Sequence, residues 1–294
     1  MSASVHRRAL ALMLLSAAAF TANVLLVRAL NDLHFANIWL VSCARFIVGL
    51  GVVAVVYRHD WQPANLFRNR KLIERGLMGG IGVYLTYLCV VKLGAGRATF
   101  INNTYVIWGA LLAAWVLKEK LQPSLITGGV LALVGLGLLT NVLSTGTPPG
   151  LYDGLAVVAA LISAWVVVTI RQLHATEHSS TIFAAQCVYG LVLCGIPAFL
   201  QLQPITGLGL AVTAVASVCA AVGQLAMTRA FRDLSVAEGS LLQMTVPLGI
   251  AAGGVAFFDE RFLVHELVGA ALILGGTAFT ALRQPARADI KAAS

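Results

Sequence analysis

The stretch INNTYVIWGALLAAWVLKEKLQPSLITGGVLALVGLGLLT, residues 101–140, joins two apolar runs through the charged knot LKEKL at 117–121. A second stretch of the same design, LQMTVPLGIAAGGVAFFDERFLVHELVGAALILGGTAFTA at 242–281, turns on FDERF at 258–262. At an offset of 141, Leu93–Thr140 and Leu234–Ala281 share Leu93, Thr104, Ala110, Glu119, Gly128, Leu131, Leu133 and Gly135. The identities are few for so biased a composition. They nevertheless set Glu119 on Glu260, where acids are scarce, and Gly128 and Gly135 on Gly269 and Gly276, seven residues apart in both copies.

Working outward, the whole chain reads in the same way. Of 294 residues, 59% are apolar and 11% charged, against about 25% charged in soluble domains. A soluble globule of this size could not cover its surface with so few charges, so the composition is that of an integral membrane protein. A membrane-crossing helix needs about 20 mostly apolar residues. Ten such runs follow one another, near 9–30, 36–57, 73–92, 97–117, 124–143, 151–171, 181–200, 206–228, 236–258 and 265–282. They are too long for barrel strands and lack a period of two. The expected fold is all-α, with ten transmembrane helices in two five-helix repeats. An odd number of spans per repeat sends the second copy in from the opposite side, an inverted construction typical of secondary transporters. The expected divisions are a first repeat over 1–143, an external Pro/Gly-rich linker over 144–150, a second repeat over 151–283 and a cytoplasmic tail over 284–294. The start, His6-Arg7-Arg8 before an apolar run, resembles a signal peptide, but the run continues to Leu30 and is read as a retained span.

Lys and Arg total 20 against 12 acids, a net +8. The basic residues sit between apolar runs, a pattern of membrane orientation rather than of nucleic-acid binding. With the N-terminus inside, fifteen of them, Arg75 included, fall on the cytoplasmic side. Arg28, Lys92, Arg97 and Arg261 fall outside, and Arg45 alone lies well within a run. Both termini are therefore expected in the cytoplasm. The five cysteines lie inside apolar runs without CxxC spacing, so neither a disulfide framework nor a zinc site is expected. Neither a P-loop nor HExxH occurs, and the six histidines lie at run ends or in loops. An enzyme, a metal site and a cofactor are not expected. Every Asp and Glu also falls at a run end or in a loop. Carriers that couple tightly to protons often bury an ionisable residue, so facilitated, gradient-driven movement is the expectation.

LKEKL followed by a Gly-rich run, and TVPLGI before FFDERF with Pro247 inside the ninth run, resemble the drug/metabolite transporter superfamily and its EamA branch. Val106 stands where the first half would carry the matching proline. The resemblance covers essentially the whole chain. It implies export of amino acids, other metabolites or drugs across a bacterial inner membrane, with exporters of the YddG type as the nearest likeness. It implies aromatic and other neutral amino acids as substrates by alternating access. Multidrug or nucleotide-sugar carriage, and a non-transporting receptor or assembly factor, stay as alternatives. The expected partners are a small-molecule substrate and the lipid bilayer, with no nucleic acid, and a monomer is compatible with the sequence.

Polar and aromatic residues within runs are the substrate-binding candidates: Asn23, Tyr84, Tyr87, Asn102, Asn103, Tyr105, Trp108, Trp165, Gln224, Thr228, Gln243 and Met244. At the offset of 141, Asn102 maps onto Gln243 and Tyr87 onto Thr228. Amides both donate and accept, which suits a zwitterion, but they also serve simply to join helices. Arg45 is read two ways, as a partner of a substrate carboxylate or as a structural group; the resemblance favours structure. Gly128, Gly135, Gly269 and Gly276 read as close-packing seams, and Pro247 as a bend or gate element.

Overall fold

The computed structural model describes residues 3–32, 38–93, 95–140, 142, 148–201, 205–258 and 263–283. Among these residues the chain is helical and contains no strand. The first half holds α1 (Ala3–Asp32), α2 (Ile38–Val56), the short α3 (Asn65–Arg68), α4 (Arg70–Leu93), α5 (Ala95–Asn103), α6 (Tyr105–Val116) and α7 (Pro123–Leu139). The second holds α8 (Leu151–Leu173), α9 (Ser179–Leu200), α10 (Gly207–Ala230), α11 (Val236–Gln243), α12 (Thr245–Phe258) and α13 (Val264–Arg283). Each apolar run falls on one helix or on a broken pair. Six helical stretches are long and apolar enough to cross a membrane: Ser4–Leu30, Trp39–Val56, Leu151–Leu173, Ser179–Leu200, Gly207–Ala230 and Val236–Phe258. The helices Pro123–Leu139 and Val264–Thr280 are apolar but shorter. Large side chains such as Ile47, Trp115, Ile126, Val192, Phe199 and Phe257 point outward, exposed. Apolar surface on that scale marks contact with other apolar matter, here lipid.

The packing obeys the internal repeat. Exchanging α1 with α8, α2 with α9, α4 with α10, α6 with α12 and α7 with α13 maps neighbours onto neighbours. Thus α1 packs on α10 as α8 does on α4, α2 on α10 as α9 on α4, and α12 on α1 as α6 on α8. The equivalent helices α7 and α13 pack together along the glycines. A Cβ added to Gly128 would lie 2.6 Å from the Gly276 carbonyl oxygen, and one added to Gly135 would lie 2.5 Å from that of Gly269. The converse contacts repeat these distances. The early glycine of each helix therefore meets the late glycine of the other, so α7 and α13 run antiparallel. Equivalent α2 and α9 do the same: Gly49 abuts Cys187 and Gly190 abuts Phe46, pairs that the offset of 141 interchanges.

Both broken rods carry a threonine at the break. Thr104 Oγ1 donates to the Ile101 carbonyl at 2.7 Å, and Thr245 Oγ1 donates to that of Leu242 at 2.8 Å. In the second half Pro247 sits in the first turn of α12, where its missing N–H is tolerated.

Charged side chains tie the ends of the rods. The chain leaves α6 through Lys118, a left-handed residue at φ 56°. Glu119 follows; its carboxylate accepts from Arg171 Nε at 2.9 Å and from the Val236 backbone N–H, at the start of α11, at 3.1 Å. Arg171 Nη1 also donates to the carbonyls of Phe231 and Arg232, at 2.9 and 2.7 Å. Glu238 lies 3.2 Å from His6 on α1. Its repeat equivalent, Arg97, pairs with Asp153 at the start of α8 at 2.6 Å, so the same join is made there with the acid on the other helix. Asp259 and Glu260, the expected counterparts around Glu119, lie outside the described residues.

Gly135→Val should lower the apparent Tm of the purified protein in detergent, by an overpacking cost of about 1–3 kcal/mol. Gly275→Ala on α13, where an added Cβ meets nothing within 4 Å, should leave the Tm unchanged or raise it. A second expectation concerns His174, just beyond α8, whose Nε2 lies 2.6 Å from the Thr228 carbonyl. Burial first, and Arg232 and Arg171 after it, hold its pKa below 6.5 against the raising effects of Thr228 and Asp233. The folded protein keeps it neutral, so its stabilising contribution is complete above 6.5 and is lost as the pH falls below that value. Between about pH 7.5 and about pH 5.5 the Tm of His174→Gln should fall less steeply than that of the native chain. Equal slopes would exclude His174 as the source.

Candidate binding cavity

Every helix except α3, α7 and α13 contributes to a cavity of about 340 Å³. On α4 the wall is made by Arg75, Met78, Gly79, Gly82, Val83 and Thr86, a stripe at the three- and four-residue spacing of one helix face. The two repeats face each other across it. Asn102 on α5 and Gln243 on α11 both line it, as do Arg45 on α2 and Gln186 on α9. Both pairs are related by the offset of 141.

Among the sequence candidates, Asn23, Asn102, Asn103, Tyr105, Gln224 and Gln243 share this wall with Arg45 and Pro247. Their polar atoms are committed to different degrees. Asn23 Nδ2 donates to the Ala216 carbonyl on α10 at 2.8 Å, and Asn103 Nδ2 to the Thr99 carbonyl of its own helix at 2.8 Å. Gln243 Nε2 donates to Ser16 Oγ on α1 at 2.9 Å. Asn23 and Gln243 thus join helices, as amides within spans commonly do, while Asn103 is tied within its own helix. Asn102 Oδ1 is buried with no hydrogen-bond partner.

Other candidates lie off the wall. Tyr84 stacks on Trp39 with ring centroids 4.9 Å apart. Trp108 is 39% exposed on the outside of the bundle. The Trp165 indole N–H donates to the Glu74 carboxylate. Thr228 is fully buried, its carbonyl facing His174. Met244 is buried in an apolar cluster with Val106, Leu136 and Ile273. The Tyr87 side chain lies outside the described residues. Gly128, Gly135, Gly269 and Gly276 form the α7–α13 seam away from the cavity.

The sequence reading missed Arg75, Gln186, Thr86, Thr99 and Ser163. Arg75, counted among the basic residues expected on the cytoplasmic side, is 1% exposed and lies on the cavity wall. The reason is the helix start: α4 begins at Arg70, three residues before the apolar run, which carries Arg75 into the second turn. The remaining fourteen basic residues expected on the cytoplasmic side still outnumber the four expected outside. Gln186 had a readable signal, as the repeat mate of Arg45. Among the described residues no Asp or Glu lines the cavity, and no group of three or more His, Cys, Asp or Glu could hold a metal ion.

The comparisons with known proteins agree on the architecture. A crystal structure 20% identical in sequence superposes with a TM-score of 0.72, covering 91% of this chain and 96% of the other. At that identity the likeness concerns the fold. Among curated proteins, none matches the chain. The profile of the EamA-like transporter family, whose members are membrane transporters that bind small molecules, matches residues 7–141 and again 150–282. With both halves covered, the chain belongs to the EamA-like transporter family.

Proposed function

We propose that this transporter exports amino acids, aromatic and other neutral ones foremost, or related small metabolites across a bacterial inner membrane. In this reading ten helices cross the bilayer as two inverted repeats, 1–143 and 151–283. The linker 144–150 is external, and both termini, including the tail 284–294, are cytoplasmic. Substrate sits near the midplane and the two halves alternate its access to either side. The observation that carries the reading is the cavity between the repeats, walled by amides at equivalent positions. Asn102 and Gln243 can offer donors and acceptors to a zwitterion without adding a charge.

Size and charge weigh against the alternatives. A volume of about 340 Å³ lies near the lower end of small-molecule sites, about 300–1,000 Å³, which suits a small metabolite better than a nucleotide sugar. A cationic drug would meet Arg45 and Arg75 and no carboxylate. A receptor or assembly factor would not depend on the polar wall. The acid-free wall also supports movement down the substrate gradient rather than obligatory proton coupling.

Counterflow in proteoliposomes tests this. Vesicles preloaded with unlabelled threonine, methionine or phenylalanine should take up the labelled amino acid. Asn102→Leu combined with Gln243→Leu should cut that exchange at least tenfold while the protein still elutes as a folded species. A double variant with native exchange would remove the cavity from the mechanism. Absence of exchange with every amino acid would favour the drug and nucleotide-sugar readings. An imposed proton gradient, at zero substrate gradient and zero potential, should drive no uptake.

A further inference from the structure

Arg75 is a buried charge that the fold leaves largely unanswered. An arginine carries five N–H donors and no acceptor. Here Nη2 donates to Gln186 Oε1 at 2.9 Å, while Nε and Nη1 have no hydrogen-bond partner. The residue is 1% exposed and lies on a cavity wall to which the described residues bring no carboxylate. A buried charge in that state opposes folding, and such groups are ordinarily paired.

The surroundings hold the guanidinium in place without satisfying it. Gly79, one turn along α4, has no Cβ, and a side chain there would run into Arg75 Nη1. Gln186 steadies the group from α9. Asn102 Oδ1, buried and likewise unpartnered, supplies an acceptor on the same wall. Unsatisfied cationic donors and an unsatisfied acceptor thus belong to two side chains of one wall, buried just behind its surface.

We propose that Arg75 is the anion-binding residue of this cavity. It pairs with a carboxylate or phosphate group of the substrate through charge-assisted hydrogen bonds, and Asn102 Oδ1 accepts from a donor elsewhere on the same molecule. The cargo is therefore a small molecule bearing an anionic group. The inference rests on the cavity being the substrate site. It explains why a costly charge sits there: the bound anion completes its coordination.

The test is thermal unfolding of the full chain in detergent with defined probes. These are phenylalanine, threonine and glutamate, the carboxamides of the same three, and glucose 6-phosphate. At least one acid or the phosphate ester should raise the Tm, with its carboxamide needing at least tenfold more for the same shift. An acid that acts alone identifies a carboxylate site, and the ester acting alone a phosphate site. Arg75→Met should melt higher than the native chain without ligand and lose the ligand-induced shift. Arg75→Lys should keep a weakened one. Carboxamides as effective as acids, or no shift with any anionic probe, would overturn the proposal. So would Arg75→Met if it kept the native shift, melted lower or failed to fold, since the arginine would then be structural. Counterflow separates the two readings. Unchanged exchange by Arg75→Met removes the anion site and leaves the amino acid carrier standing, whereas a native chain that exchanges none of the probes removes the amino acid reading in favour of the drug and nucleotide-sugar ones, whatever the melting curves show.

Discussion

The backbone contact between α7 and α13 sets the terms for the rest of the molecule. Four glycines let two equivalent helices approach until carbonyl oxygens of one lie where side chains of the other would begin. In lipid there is little hydrophobic force to drive one apolar helix onto another, and close packing takes its place. Because the contact joins the same helix of each repeat, it imposes a two-fold relation. The antiparallel α2–α9 contact satisfies the same relation at a second place. With the halves clasped at α7 and α13, the other rods are free to surround the cavity.

The interior then divides its polar groups into two populations. At the rod ends, charges are matched: Glu119 with Arg171 and the start of α11, Arg97 with Asp153, Glu238 with His6. Within the cavity the matching is incomplete. Asn23, Asn103 and Gln243 spend a donor on neighbouring backbone or hydroxyl groups, while Asn102 and Arg75 keep atoms unpaired. Buried polar groups are normally satisfied; of the exceptions, Arg75 and Asn102 share the cavity wall, where a ligand can complete them, while Thr213, Thr228, Ser240 and His265 lie off it.

Much of this was legible in the sequence, because run length and repeat depend only on residue type and spacing. The ten runs and the offset of 141 required nothing more. The glycine pairs were readable as seams, although not the fact that each glycine would meet its partner's counterpart. Side-chain direction was harder. A helix apolar all round gives no periodic signal of which face looks inward, so Tyr84, Trp108 and Trp165 could not be separated from Asn102 or Gln224. Arg75 was hidden by the opposite difficulty. Arg70 and Lys71 read as a loop and Glu74 as the end of a run, although all three lie in the first turns of α4.

The paired breaks at Thr104 and Thr245 have a mechanical meaning. An intact helix resists bending because each turn is laced to the next by backbone bonds. At each break a backbone N–H reaches the carbonyl three residues back, Thr104 to Ile101 and Met244 to Leu241, so the regular lacing is interrupted beforehand. The segments α6 and α12 are thus mounted on joints, one in each half and at matching positions. Each can tilt against its stem without rupturing a regular ladder.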